Sequence, residues 1–114
     1  MQSQMGFQKK AIISRLFDFD QRMINFLFES TALPNLRDRP GILLNDSWEL
    51  TPEQQILVRA ALDIFSGSGH VFLWELLNRL SEQNLSRLIL ALIEYHKLEQ
   101  PINLVTNQWW LKNE

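Results

Sequence analysis

The chain has no cysteine and only two histidines among its 114 residues. Without cysteine there are no disulfides, no thiolate metal sites and no cysteine nucleophiles. His70 and His96 stand alone, without a second His four residues away and an intervening Glu, so the spacing of a helical zinc site is missing. A long apolar run is missing too. The longest, residues 88–93, is far below the roughly 20 residues that span a bilayer. Arg15 interrupts the short run Ala11-Ile12-Ile13 after Lys9 and Lys10, so no secretory leader is expected there. A soluble, cytoplasmic protein is the expectation.

Basic excess is also lacking. The net charge is −2, with a mildly basic first third: residues 1–40 carry six Lys/Arg against four acids, and residues 41–114 five against nine. Nonspecific nucleic-acid affinity comes mainly from clustered Lys and Arg neutralising phosphates, and this balance counts against it. What the chain does have is apolar and aromatic bulk: 46% hydrophobic residues, four Trp and seven Phe. That composition suits a folded globular chain, and the length suits one domain over residues 1–114.

Periodicity predicts a mainly α domain of four helices. After a loose start at residues 1–6, Ile12, Leu16, Phe19, Met23 and Phe26 step by four and three along a first helix over residues 7–29. A second row, Ile13, Phe17, Ile24 and Phe28, lies beside the first, so apolar residues cover more than half the circumference. Asp20 falls inside that arc. Either the helix breaks and Asp18 or Asp20 caps a second segment, or Asp20 is a buried, paired acid.

Residues 31–50 read as a long connecting loop, with Pro34, Pro40, Gly41 and Asp46 as its breakers. Its apolar residues Leu36, Ile42, Leu43, Leu44, Trp48 and Leu50 suggest that it packs down, with residues 42–44 extended and the Arg37-Asp38-Arg39 turn exposed. Thr51-Pro52-Glu53-Gln54 then opens a helix with a capping box and proline at the first position. This helix, ending near Ser66, leaves only a narrow polar strip of Gln55, Arg59, Asp63 and Ser66, and is expected to be the most buried.

Gly67-Ser68-Gly69 ends it. It lacks the preceding strand and the lysine of a phosphate-binding loop. A helix over residues 70–80 is expected to bury Phe72, Leu73, Trp74, Leu76, Leu77 and Leu80 and to expose Glu75, Asn78 and Arg79. A fourth, over residues 85–98, packs Leu85, Leu88, Ile89, Leu92 and Ile93. His96 falls on the apolar side of its last turn, a position where imidazole serves late carbonyls. After Pro101 the remaining residues, 101–114, read as a short β-hairpin or as a tail docked by Trp109 and Trp110.

No set of residues assembles a hydrolytic triad, and Asp18 and Asp20, two apart, do not share a helix face. No catalytic residue, cofactor or metal is expected, nor a small-molecule substrate. A non-enzymatic protein-interaction module, self-associating as a homodimer or joined to another protein, fits better. Ile13, Phe17, Ile24, Phe28, Trp109 and Trp110 are its candidate contact residues. The order of three helices and a hairpin over residues 51–111 resembles, in outline, a winged-helix domain. That resemblance implies nucleic-acid binding through the helix at 85–98, whose Ser86, Arg87, Glu94 and Lys97 are a poor set for reading bases or holding phosphates.

Overall fold

The computed structural model describes residues 2–99 apart from residue 31, with side chains from Met5 to Leu98. The described residues are mainly helical: α1 (Gln2–Leu16), α2 (Gln21–Leu27), α3 (Pro40–Asp46), a 3₁₀ turn (Ser47–Glu49), α4 (Pro52–Ser66), α5 (Leu73–Arg79) and α6 (Glu82–Glu99). Six helices replace the expected four. The hairpin or tail at 101–114, with Trp109 and Trp110, lies outside the described residues.

Three departures have local causes. Residues 2–6, expected loose, belong to α1, where Gly6 sits tightly against Pro34. The long first helix is broken at Asp18 and Phe19, both left-handed with φ of 54° and 57°. Such a conformation costs roughly 1 kcal/mol or more per non-glycine residue. The Phe19 amide donates back to Ser14 O at 2.8 Å, and the Asp20 carboxylate accepts from Arg22 N at 3.0 Å. Asp20 is therefore the exposed cap of α2, which resolves the alternative of a buried acid. Inside the expected loop, Pro40 starts α3, a helix over the residues read as extended. Leu43 is buried and Leu36, Leu44 and Leu50 pack against the core, whereas Ile42 and Trp48 are exposed, Trp48 to 72%.

α4 is the centre, as its pattern predicts. Thr51 Oγ1 accepts from Gln54 N at 3.2 Å while Gln54 Oε1 accepts from Thr51 N at 3.1 Å, closing the capping box. Gly67 ends the helix in the left-handed region, φ 71°. Between these caps Ile56, Leu57, Val58, Ala60, Ala61, Leu62 and Ile64 are buried. Complete burial of one such large apolar side chain stabilises by about 1.5–3 kcal/mol. α1 lies against both α4 and α6.

Two lysines are spent on this assembly. Lys10 is buried, and its Nζ donates to Ser30 O (2.6 Å) and Leu33 O (2.7 Å) above the Phe28 ring. Desolvation pulls its pKa below the ordinary lysine value. Lys9 Nζ donates to Phe65 O at 3.0 Å, a carbonyl in the last turn of α4, where a cation meets the negative end of the helix dipole. The basic pair near the start of the chain thus ties α1 to its neighbours. Among the described residues, no helix is long and apolar enough to cross a membrane.

Candidate interaction surface

The expected contact row lies in the wrong place to meet a partner. Ile13, Phe17, Ile24 and Phe28 are all in the hydrophobic core, none more than 8% exposed. The break at Asp18 and Phe19 is the reason: it separates α2 from the axis of α1, and α1 is flanked by α4 and α6. Both apolar rows can then be covered within one chain. Phe19, expected in the first apolar row, is instead 62% exposed.

The apolar surface is at the other end of the chain, and the polar strip of α4 explains it. Gln55, Arg59 and Asp63 carry the neighbouring segments. Gln55 Nε2 donates to Leu50 O at 2.9 Å. The Asp63 carboxylate accepts from the amides of Gly69 (2.7 Å), His70 (3.1 Å) and Val71 (3.1 Å). Burial works to raise the pKa of Asp63, and the three amides outweigh it, leaving the group below the usual carboxylate range. Gly69 crosses α4 so closely that an added Cβ would stand 1.7 Å from Arg59 O. The two glycines of the linker therefore do different work, Gly67 through its left-handed φ and Gly69 through this contact.

Arg59 grips Glu75 of α5 with two bonds, 2.9 and 2.5 Å, and Glu75 also accepts from the Phe72 amide at 3.2 Å. The Arg59 bonds, opposed by burial and joined by the Phe72 amide, lower the pKa of Glu75. In the first turn of α4, Glu53 accepts from Ser81 N (2.5 Å) and Asn84 Nδ2 (3.1 Å) where α6 begins. The Ser81 amide, then Asn84, hold Glu53 below its ordinary value despite burial.

Because α5 is fastened by Glu75, most of its apolar residues turn outward, against the sequence expectation, whereas Leu76 and Leu80 pack partly against the core as expected. Phe72, Leu73, Trp74 and Leu77 are 59–69% exposed, and no residue of α5 is buried. On α6, Leu88 and Ala91 face the core, whereas Ile89, Leu90, Leu92 and Ile93 are 45–60% exposed. Ile89, Leu92 and Ile93 lie within a single flank at helical spacing. His96 is exposed rather than turned to the core.

Beside this flank runs an apolar groove of about 250 Å³ between α4, α5 and α6, floored by Ala60, Ile64, Leu76, Leu88, Leu92 and Tyr95. Its volume is below the roughly 300–1,000 Å³ of pockets for drug-sized molecules. A single large side chain is the better match.

A larger cleft of about 440 Å³ lies between α2 and the start of α4, with Asp20, Arg22, Asp46 and Thr51 in its wall. Several of its polar groups already hold the fold. Asp20 caps α2, Asp46 pairs with Arg37, and Thr51 closes the capping box. Among the described residues, no group of three or more His, Asp or Glu is placed to hold a metal ion.

The helix likened to a recognition helix has charged partners within the chain. Arg87 pairs with Asp18 at 3.4 Å, and Glu94 pairs with Arg15. No protein-family model matches this chain, and no curated protein or solved structure matches it either.

Proposed function

We propose that this chain is a non-enzymatic protein-interaction module whose docking face is the exposed apolar surface of α5 and α6, with a second copy of the chain as its partner. The observation that carries the reading is the concentration of eight large, exposed apolar residues on two consecutive helices, counting the cap residue Phe72 of the first. At roughly 100 Å² apiece, about half of what a large aromatic buries, they offer on the order of 800 Å². One partner contributes about that area to a standard interface. Exposed apolar surface on this scale commonly marks a protein contact site.

A nucleic-acid role draws less support. Arg15 and Arg87 are paired with carboxylates, and the outer side of α6 offers Ile89, Leu90 and Ile93 where phosphate contacts need cations. A cytoplasmic location suits the reading.

Light scattering on the full chain, alone and with Leu77→Glu or Ile93→Glu, tests it. Both positions are exposed, so the variants keep the parent's helical circular dichroism and melt. The parent is expected to associate and the variants to remain folded monomers. A parent that stays monomeric at high concentration, or association untouched by either change, would overturn the proposal.

A further inference from the structure

The face built by α5 and α6 carries a groove and a projecting indole side by side. We propose that, when two copies of the chain pair, Trp74 of each copy enters the groove between α4, α5 and α6 of the other and seats among Ala60, Ile64, Leu88 and Leu92. The inference rests on reading this face as the docking surface for a second copy, and it names the contact that fixes how the copies pair.

Trp74 is turned away from the groove of its own chain. Leu76 forms the α5 wall of that groove, and two residues along an α-helix lie about 200° apart around its axis. Trp74 therefore stands on the opposite side of α5, where it is 59% exposed. The groove and the indole of one chain cannot satisfy each other. A two-fold axis brings them together twice, because in an isologous interface the same patch serves both copies and every contact has its mirror.

Size and charge both match. The groove encloses about 250 Å³, and Trp74 is the largest exposed apolar side chain on α5 and α6. The Arg79 guanidinium lies 5.2 Å from the ring centroid of Trp74 and restrains it, so less side-chain freedom is lost when the indole is buried. Arg79 has no ion-pair partner among the described residues. The one charged residue lining the groove is Asp63, kept ionised by the three amides that it accepts from. The cation that accompanies the indole thus arrives at a groove of opposite sign. Tryptophan and arginine are enriched among the anchors of protein interfaces, where truncating one weakens binding by roughly tenfold or more.

Two complementary variants of the full chain test the contact by light scattering. Trp74→Ala removes the projection, and Leu92→Glu closes the groove at its half-exposed rim. Both positions are exposed, so circular dichroism and melts should match the parent, and Leu92→Lys repeats the second change with the opposite charge. Each variant alone loses both contacts of the pair and is expected to associate about a hundredfold more weakly than the parent. An equimolar mixture keeps one contact, Trp74 of the Leu92→Glu chain in the groove of the Trp74→Ala chain, and should associate roughly tenfold more tightly than either variant alone. A mixture no tighter than its components would overturn the proposal. So would parent-like association of Trp74→Ala, which would leave the groove to another occupant. In both of those cases a parent that pairs, and stops pairing with Leu77→Glu, keeps the docking face standing. A parent that stays monomeric overturns the face and this contact together.

Discussion

α2 and α5 are both seven residues long and both rich in apolar side chains, yet they are held in opposite ways. α2 buries Met23, Ile24 and Leu27, and its cap Asp20 faces water. α5 has no fully buried residue, Leu76 alone packing partly against the core, and is held by Arg59 through Glu75 and by Asp63 through the linker before it. The difference teaches that an apolar pattern marks a face to be covered without saying by what. Where polar side chains fix the helix first, the apolar side is left for something else to cover.

The largest effect that sharpens this contrast lies in α2. Leu27→Asp puts an unpaired carboxylate into a site 1% exposed. The change is expected to cost more than about 4 kcal/mol and abolish the cooperative melt. A folded variant with a normal urea midpoint would remove α2 from the core.

Gly69→Ala comes next, since its Cβ would run into the backbone of α4 at Arg59 O. A loss of about 3 kcal/mol is expected in urea denaturation, with α5 displaced and Trp74 emission changed. A neutral substitution would mean that the linker crosses α4 less closely.

Acid should loosen α5 before α2. Glu53, Asp63 and Glu75 all have lowered pKa values, so below the ordinary carboxylate range, about 4, the unfolded chain takes up more protons than the folded one. Their contribution is complete above that range and is lost as pH falls through the lowered folded values. Asp63→Asn keeps the shape while weakening the bonds from Gly69 and His70 and losing that from Val71, since the amide NH2 cannot accept. About 2 kcal/mol should be lost at pH 7, with a flatter stability profile between neutral and acid pH. An unchanged pH slope would show that the Asp63 contacts contribute little.

The smallest effect on stability belongs to the outward side of α5. Leu77→Glu should move the urea midpoint by no more than about 0.5 kcal/mol equivalent. A large loss there would show that the apolar side of α5 is covered within the chain.

Much of this was legible in the residues. Thr51 to Gln54, Gly67 and the apolar run between them specify α4 by local rules that tertiary packing did not override. Asp20 carried the signal of a cap, and its environment decided between the two readings. α3 was hidden because Pro40-Gly41 resembles a loop, although proline also suits a first helical turn. The outward turn of α5 was hidden for a different reason. It depends on Asp63 and Arg59 recruiting partners six to sixteen residues away, and a polar strip on a buried helix reads the same whether water or another segment meets it. Lys10 was illegible likewise, since a surface lysine and one donating to two loop carbonyls share the same sequence.

The attachment of α5 also has a kinetic meaning. A helix with no fully buried residue, kept in place by a carboxylate, one ion pair and the partial packing of Leu76, can detach with little disturbance of the core around α4, at a cost below that of global unfolding. In hydrogen–deuterium exchange the amides of residues 73–79 should therefore exchange earlier than those of residues 56–64, through their own opening. Each opening would rearrange one wall of the groove without opening the core, so the docking face would change shape on a faster clock than the protein unfolds.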